Sequence, residues 1–428
     1  MPVSQVPAAF ARQRSKEKVS LAVRPLRVVV VDEELPYPLT SGKRIRTLNL
    51  LLRLADRHQI TYLCHRNVDP QEARQAAEYL RDHGIETVVV DQPLARKSGA
   101  LFYARLAANL FSPLPYSVAS HNSHALRAAI REYARRHEVD LWHCEWTPYA
   151  APLSAVMAGR RLVMAHNIES MIWQRYYQTE ANPLKRWYIK RQWRKFEWFE
   201  RRAFAEATRL VAVSAEDAAI ARERFGAPRV SVVDNGVDTS YFQPQSLARE
   251  PNRLLFLGSL DWRPNQDAVR VLLEGIFPAV AAQESSARLD IVGRNPPAWL
   301  ISQAGNHSAV ELHANVPDVR PFIARSGMMA VPLRIGGGSR LKILEALACE
   351  LPVVSTKVGA EGLCLVSGRD LTIVDRVGDM PRALVECIRH PRTAREMARH
   401  GRQVVLARYD WDALADQLEG IWLECAKQ

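Results

Sequence analysis

The chain has 428 residues, of which 47% are hydrophobic and 24% charged, and a net charge of +12. That length suits two cores of about 200 residues rather than one, and the lack of any apolar run of 18 residues excludes a membrane-spanning helix. The basic excess leaves nucleic acid, an anionic membrane surface or a phosphorylated substrate open as partners.

Residues 1–25 carry Arg12, Arg14, Lys16 and Lys18 without an apolar stretch, and read as a disordered basic tail rather than a secretory signal. Leu26–Asp32 (LRVVVVD) is a continuous apolar run, as a strand buried on both faces requires. A helical pattern over Lys43–Arg57, a strand at Ile60–Cys64, a helix near Gln71–Arg81 and a strand at Glu86–Val90 follow. Further strands are expected at Val139–Cys144, Arg161–Ala165 and Arg209–Val213. This alternation implies a parallel sheet covered by helices on both faces. It restarts after residue 250, with strands expected at Leu254–Leu257, Leu289–Val292, Ala309–Leu312, Met328–Val331, Pro352–Ser355 and Leu371–Val374. The polar interval Asp234–Arg253 is the natural linker. The expected fold class is therefore α/β, with two Rossmann-like doubly wound domains over 26–235 and 236–408. A closing amphipathic helix over 409–428 (Leu414, Leu418, Ile421, Trp422) would pack back on the body.

Open α/β sheets bind ligands at the carboxyl ends of their strands, so a cleft between two such edges is the expected site. Neither the loop after Asp32 nor Gly258-Ser259-Leu260-Asp261-Trp262-Arg263-Pro264 carries a G-x-G-x-x-G fingerprint, and no Walker loop is present. That argues against a nicotinamide or flavin cofactor. The six cysteines are scattered, with no C-x-x-C pair, which fits a reducing cytoplasm and no zinc site.

The most informative stretch is Val331–Thr356, VPLRIGGGSRLKILEALACELPVVST. Gly336, Gly337 and Gly338 let backbone approach a ligand closely, Ser339 reads as an N-cap, and a helix is expected over Arg340–Cys349. Arg340 and Lys342 then crowd the positive end of the helix dipole, at a cost of roughly 0.3–1 kcal/mol each. A docked diphosphate reverses both penalties. Glu345 lies one turn beyond Lys342 on the same face, placed to accept hydrogen bonds from vicinal ribose hydroxyls. The plainer alternative makes Glu345 an ion-pair partner of Lys342 and the glycines a simple turn.

This stretch resembles the retaining glycosyltransferases of family 4, which have the GT-B fold. Asp234-Asn235-Gly236-Val237-Asp238, Phe256–Asn265 and Gly359-Ala360-Glu361-Gly362-Leu363 carry the resemblance further. Many members have a second Glu eight residues before this one, where Gly337 stands. Many also have Arg and Lys where this chain has Ser259 and Asn265. The resemblance implies a first domain for the acceptor and a second for a nucleotide-diphosphate sugar. Glu345 would hold the ribose, Arg340 and Lys342 the pyrophosphate, and the loop of Gly42 would close over the donor phosphates and acceptor. Lys43, Arg44 and Arg46 after it are equally explained by a solvated helix face.

At the acceptor-side strand ends, His143 and Glu145 stand in one cluster and His166, Asn167 and Glu169 in another; Glu145 and His166 are the candidate catalytic groups. The implied reaction is hexosyl transfer to a glycan or lipid-linked acceptor in surface polysaccharide biosynthesis, with retention and with no metal or other cofactor. Asp410-Trp411-Asp412 mimics a D-x-D metal motif but reads more simply as a helix cap. A sugar-nucleotide epimerase and a catalytically inactive nucleotide-sugar-binding subunit remain alternatives.

Between Pro183 and Arg202, eight basic residues stand against Glu197 and Glu200, a net +6. Trp187, Tyr188, Trp193, Phe196, Trp198 and Phe199 are interleaved with them. Such a helix suits peripheral contact with the inner face of an anionic membrane; alternatively, the aromatics pack on the sheet and the cations face water. No nucleic-acid module accompanies the charge.

Overall fold

The computed structural model describes residues 24–94, 98–154, 159–335 and 340–427. They form two compact units, one built from Pro25–Gly236 together with Arg408–Gln428, the other from Val237–Ala407.

The first unit holds a seven-stranded sheet. Its strands are β1 (Arg27–Asp32), β2 (Gln59–His65), β3 (Ile85–Val90), β4 (Leu141–Cys144), β5 (Arg161–Ala165), β6 (Arg209–Ala212) and β7 (Val230–Val232). The order is β3-β2-β1-β4-β5-β6-β7 and every pairing is parallel, with Val28 opposite Ile60 on one side and Leu141 on the other. Successive valines of β1 serve opposite faces, as the two-residue period of a strand dictates. Val28 and Val30 join Tyr62, Leu141 and Met164 in one core. Val29 and Val31 join Trp142, Val163, Phe196 and Phe204 in the other.

The chain returns to this unit at Arg408. The terminal helix Trp411–Lys427 buries Trp411, Leu414, Leu418 and Trp422 in the first of those cores, against the helix Gly42–Ala55. Gly236 is the seat for this return: a Cβ there would lie 2.5 Å from Leu414 Cδ1 and 2.8 Å from the Tyr409 carbonyl oxygen. Asp410 caps the terminal helix, its Oδ1 accepting from the Asp412 amide at 2.8 Å.

The second unit repeats the plan with β8 (Glu250–Leu257), β9 (Arg288–Gly293), β10 (Val310–Ala314), β11 (Ser326–Val331), β12 (Val353–Thr356) and β13 (Thr372–Val374). The order β10-β9-β8-β11-β12-β13 is again wholly parallel, and it reverses direction between β8 and β11. Such a switch point opens a crevice at the carboxyl edge.

Three helices between β3 and β4 (Ala100–Asn109, Tyr116–His121 and His124–Arg136) and the edge strand β7 had no counterpart in the sequence pattern. β7 has only three residues, each half-buried, too few to show alternation. No helix among the described residues is long and apolar enough to cross a membrane.

Candidate functional site

In the second unit, a cavity of about 300 Å³ opens at the carboxyl ends of β8 and β9, beside the helix Leu341–Ala348 that follows β11. Gly258 and Gly293 form part of its lining and abut through their backbones; a Cβ on Gly293 would fall 1.9 Å from the Gly258 carbonyl oxygen. A Cβ on Gly258 would lie 2.7 Å from Asn265 Nδ2 and 3.0 Å from Lys342 Nζ. The glycines here therefore make room for side chains converging from elsewhere, which explains how a site exists without a G-x-G-x-x-G motif.

Lys342 and Glu345 both line this cavity, as their one-turn spacing predicts. They do not close into an ion pair with each other: Lys342 Nζ donates to Asn265 Oδ1 at 2.9 Å and sits 4.8 Å from the centre of the Phe256 ring. Asn265 is held in turn by its own Nδ2, which donates to the Ser259 carbonyl at 2.9 Å. Burial pushes the Lys342 ammonium down to about 7, with Arg340 adding to the push and Glu345 opposing it. Burial also lifts the Glu345 carboxyl to about 7, against the pull of Lys342. Each charge is thus desolvated and incompletely compensated, the condition in which an anion and a pair of hydroxyls would be gained most favourably.

The start of this helix differs from the expectation. The helix begins at Leu341, and Arg340 is its N-cap residue with φ 53°, in the left-handed region. A residue in that conformation cannot continue an α-helix, so Arg340 stands outside the first turn. Its guanidinium pairs with Glu361 at 3.1 Å. Gly337, Gly338 and Ser339, expected to cradle the phosphates and cap the helix, lie outside the described residues.

The first unit has a separate polar cluster at the carboxyl ends of β1, β4 and β5. Glu145 is 2% exposed, and its Oε1 accepts from Thr47 Oγ1 at 2.7 Å and lies 3.1 Å from His166 Nε2. Its Oε2 lies 2.9 Å from His143 Nε2. Trp422 Nε1 of the terminal helix donates to His143 Nδ1 at 3.2 Å, so a neutral His143 carries its proton on Nε2, toward Glu145. Burial alone would raise the Glu145 carboxyl, but the two imidazoles outweigh it and hold the group well below the usual carboxylate range. Burial lowers His166, against the pull of Glu145. The two candidate catalytic residues are therefore partners, and the carboxylate is the saturated member.

The residues after Gly42 are not a solvated face. Gly42 is the first residue of the helix Gly42–Ala55, whose N-cap is Ser41. Arg46 is 1% exposed and its Nη2 donates to the Val233 carbonyl at 2.7 Å. Lys43 bridges Asp32 and Glu33, and Arg44 bridges Glu34 and Glu72. Asp32 also accepts from the Tyr62 hydroxyl at 2.6 Å, and burial raises its carboxyl to about 6 despite Lys43. A basic triplet opposite an acidic one (Asp32-Glu33-Glu34) was the available signal for these pairings.

The basic segment lies on the helix Pro183–Glu206, where buried and exposed aromatics alternate. Phe196, Phe199 and Phe204 are in the core, whereas Trp187 and Trp198 are about half exposed. Glu200, counted from sequence against the basic residues, is buried: its two oxygens accept from the backbone amides of Glu169 and Ser170 at 2.6 and 3.1 Å. It caps the neighbouring helix Glu169–Thr179, and burial lifts its carboxyl to about 8 despite those bonds.

Two doubly wound units, the second with a crevice at its switch point, constitute the GT-B fold of glycosyltransferases. The chain belongs to glycosyltransferase family 4: residues 40–241 match the family described as Glycosyltransferase Family 4, and residues 251–391 match Glycosyl transferases group 1. A glycogen synthase of Mycobacterium tuberculosis is 24% identical over 260 residues, 58% of this chain, and the chain spans 61% of that relative's length. An uncharacterized 44.6 kDa protein in the cps region of Klebsiella pneumoniae is 22% identical over 364 residues, 82% of this chain and 87% of that protein. Among solved structures, Anabaena HepE in complex with UDP and glucose superposes with a TM-score of 0.62 at 15% identity, covering 92% of this chain and 99% of that one.

Proposed function

We propose that the chain transfers a hexosyl group from a nucleotide-diphosphate sugar to a glycan or lipid-linked acceptor, with retention, in surface polysaccharide biosynthesis. The observation that carries this reading is the second-unit cavity, where Lys342 and Glu345 are desolvated beside a glycine-lined floor. In it, Lys342 and the amides at the start of its helix hold the pyrophosphate and stabilise the charge that develops as the sugar departs. Arg340, across from Glu361, adds to that positive end, and Glu345 accepts the ribose hydroxyls. Many family members carry a lysine where Asn265 stands, and here the ammonium of Lys342 reaches that side chain at 2.9 Å. The positive charge is thus delivered from a different element.

No metal is needed for leaving-group stabilisation of this kind, so transfer should persist in excess chelator. Gly42, Gly337, Gly338 and Ser339 complete the proposed donor contacts. On the acceptor side, His166 is the proposed reacting group, with Glu145 orienting it. The UDP and glucose in the HepE structure, and the cps-region relative, support a nucleotide-sugar donor and a surface glycan product. The exposed cations of Pro183–Arg202 support peripheral contact with an anionic membrane.

The test is a transfer assay with a panel of nucleotide-diphosphate hexoses, oligosaccharide and lipid-linked acceptors, and NMR of the product anomer. A product whose anomeric configuration matches the donor's is expected. Donor isomerisation without an acceptor would point instead to an epimerase, and nucleotide binding without transfer to any acceptor would sink the catalytic reading.

A further inference from the structure

The helix Ala100–Asn109 (ALFYARLAAN) is apolar or aromatic apart from Arg105 and Asn109, yet Asn109 is its one buried residue. Leu101 and Tyr103 are 73% and 68% exposed, and Phe111 just beyond is 93% exposed. A helix of that composition ordinarily turns its apolar side chains inward. Here Leu101 and Tyr103 point outward, while Phe102 packs edge-on against Tyr116 and the polar Asn109 is the buried anchor.

Gln192 Nε2 donates to Asn109 Oδ1 at 3.0 Å, Lys195 Nζ donates to the Asn109 carbonyl at 2.6 Å, and Asn109 Nδ2 donates to the Leu114 carbonyl at 3.1 Å. The first two bonds fix the outer helix to the basic helix Pro183–Glu206, and the third ties it to the loop that follows. Arg191 reaches the Leu110 carbonyl while lying 5.7 Å from the centre of the half-exposed Trp187 ring, and Leu184, one turn earlier, is 75% exposed. The apolar groups of the two helices therefore adjoin at Arg191.

We propose that the outer helix Ala100–Asn109 and Phe111, together with Leu184 and Trp187, form a membrane-docking surface that enters the interface of an anionic lipid leaflet. It rests on the peripheral contact proposed above and names the element that inserts. Neither Ser98–Ser117 nor Pro183–Phe196 contains an acidic residue, while Lys185, Arg186, Arg191 and Arg194 stand exposed among the apolar side chains. A second copy of this chain would set like charges against each other, whereas acidic headgroups complement them. Exposed aromatic and aliphatic side chains ringed by cations suit the boundary between headgroup and acyl chain.

The experiment is co-sedimentation of the full chain with phosphatidylcholine vesicles, with and without phosphatidylglycerol. The wild type should bind the anionic vesicles and release as salt rises. The Leu101→Ser, Tyr103→Ser, Phe111→Ser triple variant should lose binding by at least about tenfold, with its melting temperature and nucleoside-diphosphate affinity unchanged. A Lys185→Glu, Arg186→Glu, Arg194→Glu variant should lose it as well. If the triple variant binds like wild type while the charge variant does not, the outer-helix inference is overturned and the basic-helix contact stands. If the wild type binds no vesicle, both fail. Self-association of the wild type that the triple variant abolishes would show a second copy on this face and equally overturn the proposal.

Discussion

The Glu145 cluster and the Glu345 cavity handle charge in opposite ways. Glu145, in the first unit, is surrounded by Thr47, His143 and His166 and is held well below the usual carboxylate range. Glu345, in the second unit, is pushed up to about 7, facing a lysine that is pushed down to about 7. One carboxylate is compensated by the groups around it; the other is kept under electrostatic tension that a ligand would relieve. Burial of ionisable groups alone does not separate a self-compensated cluster from one that favours a ligand. How completely their partners compensate them does.

Two substitutions test that contrast most severely. Glu145→Ala should leave Thr47 and two imidazoles without their shared acceptor and destabilise the fold by about 3 kcal/mol in urea unfolding. Nucleoside-diphosphate affinity per folded molecule should not change. Glu345→Gln should do the reverse: weaken nucleoside-diphosphate binding by roughly 1–3 kcal/mol in calorimetry, while thermal stability holds or rises because an undercompensated buried charge is removed. If Glu345→Gln destabilised as much as Glu145→Ala, the second cavity would be another framework cluster and the contrast would be lost.

Much of this was legible in the sequence, for a physical reason. Strands buried on both faces read as continuous apolar runs, so β1 and β5 stand close to where the β-branched runs put them. Lys342 and Glu345 were legible because a helical turn fixes their common face. The outer helix Ala100–Asn109 was not, since its apolar residues make no inward stripe. Arg46 and Glu200 were not, because their burial comes from partners 187 and 31 residues away, respectively, which no local pattern records. The left-handed Arg340 was missed as well: its sequence context reads as a first helical turn, and the pairing with Glu361 lies 21 residues downstream.

A pH titration gives a smaller but sharper effect. Lys342 with its pKa lowered to about 7 is largely neutral above that pH in the unliganded fold, whereas the unfolded chain keeps the proton to about 10.5. A bound diphosphate favours the ammonium, so binding takes up a proton there, and affinity should fall by up to about tenfold per pH unit above 7. Glu345, raised to about 7, gives the opposite limb: it gains its proton as pH falls, and ribose binding should weaken below 7. Calorimetry in buffers of different ionisation enthalpy should show the uptake. Lys342→Arg should flatten the alkaline limb alone, because a guanidinium keeps its charge across the range. A wild-type profile flat from pH 6 to 9 would remove Lys342 from the phosphate site.

The smallest expected effect concerns Gly258. An added methyl would meet Asn265 Nδ2 at 2.7 Å, Asn265 Cγ at 2.9 Å and Lys342 Nζ at 3.0 Å, all side-chain atoms rather than backbone, so the two side chains must shift to admit it. Gly258→Ala should therefore fold normally but displace the ammonium from Asn265, lowering nucleoside-diphosphate affinity by about 1 kcal/mol. Gly293→Ala, whose methyl would strike the Gly258 carbonyl oxygen at 1.9 Å, cannot be absorbed that way and should cost stability instead. The pair thus divides the cavity floor into a position that tunes the lysine and one that holds two strands together. Equal losses of affinity without any loss of stability would show that the backbone contact between β8 and β9 yields more readily than its geometry implies.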